Sequence, residues 1–131
     1  MEIGNKLPVL KKDITQEGIN RYANATGDFN PIHVDEEFAR GTPFKGTIAH
    51  GFYIFAFVSE LMMRSFGKRW TNGGRVDVRF KRPVRPGDTI TLRAILADRE
   101  IAGGLSWLVF DVVWENQMEQ PVLSGRVSIP E

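Results

Sequence analysis

Phe52-Tyr-Ile-Phe-Ala-Phe-Val-Ser59-Glu60-Leu-Met-Met63 is the most apolar stretch of the 131-residue chain, and its reading decides the fold. Apolar side chains fall on almost every side of a helix drawn through it, the pattern of a helix enclosed by other structure. The run is shorter than the roughly 18 residues that span a bilayer, and Glu60 interrupts it, which argues for a buried central helix and against a membrane helix. Arg64 and Gly67 mark its end.

Beyond Gly74 the period changes to two. Val76, Val78 and Phe80 alternate with Arg75, Asp77, Arg79 and Lys81; then come Ile90, Leu92, Ala94 and Leu96; Leu108, Phe110, Val112 and Trp114; and Leu123, Gly125, Val127 and Ile129. Each run predicts a strand with one apolar face. Pro86-Gly87-Asp88, Gly103-Gly104 and Glu115 to Pro121 separate them, and connections this short favour antiparallel neighbours.

On the N-terminal side, Leu7 to Leu10 reads as a short first strand that Pro8 limits to an edge or an end. Asp13-x-x-Gln16 resembles a capping box. Ile19, Tyr22, Ala23 and Thr26 then recur at helical spacing until Gly27 closes the run. Asp35 to Ala39 predicts one helical turn with acids at its positive end, broken by Gly41-Thr42-Pro43, and Thr42 to His50 reads as loop. Helices followed by strands give an α+β domain, with a curved antiparallel sheet about the central helix. A single sheet leaves that helix partly uncovered and its own edges open, and dimerisation addresses both.

The length suits one domain over residues 1–131. A formal net charge of +1 gives no general attraction to nucleic acid or an anionic membrane. The absence of cysteine excludes disulfides, thiolate catalysis and cysteine-bound zinc, and is compatible with a reducing cytoplasm. Met1-Glu-Ile-Gly-Asn-Lys6 lacks the layout of a secretory signal. A soluble cytoplasmic protein is expected.

The chemistry lies in Tyr22-Ala-Asn-Ala-Thr-Gly-Asp28-Phe-Asn30-Pro-Ile-His33-Val-Asp35 and the following Ile48-Ala-His50-Gly51, which together hold both histidines. The first half of Asp28 to His33 is turn chemistry, because Pro31 forces Asn30 out of the α region, and the whole segment reads as irregular. Asp28 and His33 suit a general acid and base, or a pair that orients water. The plainer alternative is an aspartate that caps a turn and a histidine that fills a loop. Gly51 opens the central helix, so its N–H is one of the unpaired donors at a helix start and suits a developing oxyanion. Asp28, His33, Asp35 and His50 are permitted metal ligands, but their spacing matches no metal motif. Ser59 has no Gly-x-Ser-x-Gly elbow around it, and no glycine-rich phosphate loop is present.

Tyr-Ala-x-x-Thr-Gly-Asp28-x-Asn30-Pro31-Ile-His33-x-Asp35-x-x-Phe-Ala39, then Phe44-x-x-x-Ile48-Ala-His50-Gly51 and Pro83-Val-x-Pro86-Gly87-Asp88, resembles the MaoC-type (R)-specific enoyl-CoA hydratases of the hot-dog fold. The resemblance implies that Asp28 and His33 are the catalytic pair, that the Gly51 amide binds the thioester oxygen, that Asn30 supports the loop and that Ser59 lies near the site. Phe52 stands where methionine is common, which bears on the acyl pocket. The implied reaction is reversible hydration of a trans-2-enoyl thioester, on coenzyme A or acyl carrier protein, by a homodimer or larger homo-oligomer without metal or redox cofactor. Arg79, Lys81, Arg82 and Arg85 form a basic cluster suited to the carrier's phosphates, or simply a solvated strand face. A hot-dog thioesterase and a non-catalytic acyl-thioester-binding subunit are the alternatives, and the Asp28/His33 pair on one loop favours the hydratase.

Overall fold

The alternation of the C-terminal half builds the layer on which everything else rests. In the computed structural model, which describes Met1–Glu131, the elements are β1 (Leu10–Asp13), α1 (Gln16–Thr26), α2 (Pro31–Val34), α3 (Glu36–Arg40), α4 (Gly51–Phe55), α5 (Phe57–Phe66), α6 (Lys68–Gly73), β2 (Arg75–Phe80), β3 (Thr89–Ala102), β4 (Leu105–Glu115) and β5 (Pro121–Pro130). The strands form one antiparallel sheet in the order β1-β3-β4-β5-β2. Register pairs Leu92 with Trp114, Ala94 with Val112 and Leu96 with Phe110, so the alternating apolar residues share one buried face. Phe110 pairs with Val127 and Trp114 with Leu123, which extends that face onto β5.

Gly125 lies on the same face, between β4 and β2. A Cβ there would overlap the Asp77 carbonyl oxygen and stand 2.6 Å from Val78 Cα. The missing side chain is what lets β2 approach closely enough for the sheet to curl.

The helix that the sheet curves around departs from the sequence reading in two ways. It breaks at Ala56 into α4 and α5, and the Trp114 indole N–H donates to the Ile54 carbonyl at 2.9 Å beside the break. It is also buried on one side only: Ile54, Phe57, Val58, Leu61 and Met62 pack into the core, whereas Phe52 is 68% and Met63 47% exposed. One sheet covers one face of a helix, so the remaining apolar side chains stay uncovered within the chain. Glu60, the charge inside the apolar run, pairs with Lys12 Nζ of β1 at 3.0 Å.

Three local expectations also shift. The first strand begins at Leu10, because Pro8 offers no N–H to β3, and the segment before it meets that strand through separate bonds, Gly4 N to Leu96 O, Leu96 N to Asn5 O and Leu7 N to Ala94 O, with a bridge at Lys6 and Ile95. The N-cap of α1 is Thr15, whose Oγ1 accepts from the Gly18 N–H at 3.0 Å, while Asp13 ends β1 and accepts from the Thr89 hydroxyl. Finally, β2 and β3 are not neighbours. The Lys81 to Asp88 segment crosses from one side of the sheet to the other and runs past the start of α4, where the Ala49 N–H bonds the Val84 carbonyl at 2.7 Å. No helix is long and apolar enough to cross a membrane.

Candidate active site

Gly27 ends α1 in the left-handed conformation, φ 78°, and turns the chain into the Asp28 loop. Asp28 Oδ1 accepts from the Asn30 N–H at 3.2 Å, and Asn30 Oδ1 accepts from the Ile32 N–H at 3.1 Å. Two successive side-chain turns with Pro31 at the first helical position start α2, so the second half of the segment is a helical turn and not irregular chain. Asn30 thus supports the loop by capping the turn that carries His33.

The orientation of His33 follows from its partners. Its Nδ1 lies 2.8 Å from the Ile48 carbonyl oxygen, which only accepts, so Nδ1 carries the proton and the neutral ring's lone pair sits on Nε2. The Ile48 N–H returns a bond to the Ile32 carbonyl at 3.1 Å, and Gln16 Nε2 donates to the His33 carbonyl at 2.8 Å. The turn is therefore tied to both α1 and the chain entering α4.

His50 completes the cluster from below. It is 2% exposed, its Nε2 donates to the Asp28 carbonyl at 3.0 Å, and its ring stacks on His33 with centroids 3.9 Å apart. Suitable side-chain atoms of Asp28, His33 and His50 all lie within 4.8 Å of one another. Gly51 follows as the first residue of α4, and its N–H has no hydrogen-bond partner within the chain. Asp28 is exposed, His33 half-buried.

A pocket of about 350 Å³ joins two of these groups to apolar surface: His33 and Gly51 line it with Phe44, Ile48, Ile54, Phe80 and Val84, Lys81 and Arg82 stand on its wall, and Asp28 and His50 lie behind His33 and outside the lining. Phe80 presses on Gly51, where a Cβ would meet its Cε1 at 2.9 Å. Lys81, Arg82, Arg79 and Arg85 are exposed and enter no ion pair.

Ser59 does not join the cluster. It lies on the exposed side of α5, accepts from the Trp70 indole N–H at 3.1 Å and does not line the pocket. The break at Ala56 separates it from the Gly51 turn. Asp35 is likewise elsewhere engaged, capping α3 through the Phe38 N–H at 3.1 Å. Of the four permitted metal ligands, Asp28, His33 and His50 are the three that stay together. Their candidate ligand atoms lie within 4.8 Å of one another, and each imidazole keeps one nitrogen free, because the other is bonded to a main-chain carbonyl. Sequence reasoning did not anticipate the bond from His50 to Asp28 or the pressure of Phe80 on Gly51. The first has no sequence signal, whereas Phe80 was legible as the last inward residue of its strand.

A curved antiparallel sheet about a helix, with an imidazole and an unpaired helix-start amide lining one pocket and a carboxylate beside the imidazole, defines a candidate acid–base site on a hot-dog fold. The sequence profile of the family described as MaoC like domain matches residues 2–104, and the chain belongs to that family. It is 37% identical over 94 residues to the 3-hydroxybutyryl-CoA dehydratase of Methylorubrum extorquens, an alignment covering 69% of this chain and 57% of that protein. It is 40% identical over 86 residues to the (R)-specific enoyl-CoA hydratase of Rhodospirillum rubrum, covering 63% of this chain and 57% of that one. The chain thus spans somewhat more than half the length of these relatives. Among solved structures, the (R)-hydratase from A. caviae involved in PHA biosynthesis superposes with a TM-score of 0.82 at 25% identity, covering 98% of this chain and 96% of that one.

Proposed function

We propose that the protein is a hydro-lyase that reversibly adds water across a trans-2-enoyl thioester to give the (R)-3-hydroxyacyl thioester. The observation that carries this is that His33 and the unpaired Gly51 N–H line one partly apolar pocket, with the Asp28 carboxylate within 4.8 Å of the His33 ring nitrogen. The free carboxylate oxygen of Asp28 and the Nε2 lone pair of His33 are both acceptors, and together they suit the holding of one water molecule. As the water oxygen bonds C3 of the enoyl group, one proton leaves it for this pair, and the pair returns one proton to C2. Between those events the thioester oxygen carries enolate charge, and the Gly51 N–H, directed along the start of α4, is placed to stabilise it. The (R) outcome is supported by the names of the relatives and structural neighbours.

This chemistry moves only protons and water, so it calls for no metal or redox cofactor, and coenzyme A or acyl carrier protein serves as the carrier. Lys81 and Arg82 at the pocket suit the carrier's phosphates. The uncovered Phe52, Met63 and Phe80, together with the open edge of β2, support a homodimer or larger homo-oligomer. Residues 1–131 serve as one hydratase domain, built on one core cluster, in a cytoplasmic setting.

The test is purified protein with a short enoyl-CoA. Loss of the conjugated absorbance without free thiol, with a 3-hydroxyacyl product, is the expected result. Thiol release with no hydroxyacyl product marks a thioesterase instead, and binding with no turnover marks an acyl-binding subunit.

A further inference from the structure

We propose that His50 is a positioning residue for this reaction, a single side chain that holds the Asp28 loop, the His33 ring and the Gly51 amide in mutual register. The inference rests on the site assignment above. It draws on geometry that the assignment does not use.

Three contacts fix the ring. Nε2–H donates to the main-chain carbonyl of Asp28 at 3.0 Å, the His33 ring stacks on it at 3.9 Å and 28°, and Tyr22 packs against it at 4.7 Å and 53°. The backbone of His50 is the N-cap of α4, and its carbonyl accepts from the Tyr53 N–H at 3.1 Å, so any movement of the ring is passed directly to Gly51. Asp28 is then held at three points, its N–H by Thr26 Oγ1 at 3.4 Å, its carbonyl by His50 and its Oδ1 by the Asn30 N–H, which narrows the range open to the second carboxylate oxygen.

A buried histidine can also be mere filling, and the hydrogen-bond pattern argues against that here. Nδ1 is buried with no partner, a cost that an apolar ring of similar size would avoid. Asp28 lies on an exposed loop, where water can satisfy its carbonyl, so the bond from His50 is not needed to rescue a buried acceptor. What the bond contributes is location. A displacement of about 1 Å at a catalytic group costs roughly a hundredfold in rate.

Two substitutions separate the roles. His50→Phe keeps the ring and loses the donor; His50→Gln loses the ring and keeps an amide N–H able to reach the Asp28 carbonyl. His50→Phe is expected to lower kcat by about 10- to 100-fold with KM within about threefold, and to leave Tm at or above that of the parent, because the unpaired nitrogen is gone. Amide hydrogen exchange over residues 28–34 should quicken in the same variant. His50→Gln should recover kcat to within about fivefold of the parent and restore the exchange pattern. If the Phe variant does not fold, His50→Asn, whose amide is too short to reach the Asp28 carbonyl, takes its place with the same expectations for kcat and exchange.

Unchanged kcat and unchanged exchange in the Phe or Asn variant overturn the inference. So does equal impairment of the Gln and Phe variants accompanied by a fall in Tm, which is the signature of filling. Asp28→Asn measured in parallel keeps the two readings apart: full turnover in that variant removes the assignment of the site, whereas loss there with a fully active His50→Phe removes only the positioning role. Should the parent hydrate no enoyl thioester, the exchange measurement still decides whether His50 holds the loop.

Discussion

Replacing Asp28 by Asn isolates one carboxylate oxygen. Asparagine retains a side-chain carbonyl able to accept the Asn30 N–H that Asp28 Oδ1 now accepts at 3.2 Å, and the main-chain carbonyl held by His50 at 3.0 Å is untouched. The side chain is exposed, so folding stability should change by no more than about 0.5 kcal/mol. What disappears is the charge and the second acceptor, replaced by an amide that cannot take a proton from water. A general base contributes about 10²- to 10⁴-fold, or about 2.7–5.5 kcal/mol of transition-state stabilisation. The loss should fall on kcat, with KM within about threefold, because the apolar contacts of the acyl group in the pocket remain. The assay follows the conjugated absorbance of a short enoyl-CoA at saturating concentration, with a thermal melt of the same sample to confirm the fold. Turnover within about threefold of the parent, in a variant that melts normally, would refute the acid–base role of Asp28.

Gly51→Val should lower kcat/KM by at least about tenfold, because its Cβ meets Phe80 Cε1 at 2.9 Å and drives the ring toward the amide. A second change, Phe80→Ala, should return part of that loss, and an unaltered kcat/KM in the single variant contradicts the crowding. Lys81→Glu and Arg82→Glu, at the pocket wall and free of ion pairs, should each raise KM for a CoA thioester at constant kcat; the parent's KM should itself rise with salt. A KM indifferent to both would leave these side chains as solvated surface. Thr15→Ala removes the cap accepted from Gly18 N and should cost about 1 kcal/mol, read as a fall in Tm of about 4 °C, with kcat preserved.

The alternation from Val76 to Ile129 specified four strands and their buried face, since a period of two is a property of the chain itself. Strand order was less legible. A short connection favours a hairpin, yet Lys81 to Asp88 crosses the sheet, because β2 finds its partner in β5 through the cleft at Gly125. The N-cap moved from Asp13 to Thr15 for a similar reason: β1 pairs with β3 through Asp13, which removes that residue from the helix. Of the proposed site residues, Asp28, Asn30 and His33 sit in one compact motif whose local turn chemistry brings them within reach, whereas Gly51 joins them only through the tertiary bonds from His33 to Ile48 and from His50 to Asp28. Ser59 does not, because its place depends on the break at Ala56 and on Trp70, neither of which the run of apolar residues discloses.

The apolar run from Phe52 to Met63 divides the two kinds of information. By itself the sequence determined that a helix lies here, that Gly51 opens it and that its apolar side chains need cover, because propensity, capping and hydrophobicity are carried by the residues themselves. Only the tertiary structure decided which side of it is covered, where it breaks, and that His50 beside it reaches back to Asp28. Those outcomes depend on partners 22 to 60 residues away in the chain, and such contacts are set by how the layers pack and not by any local pattern.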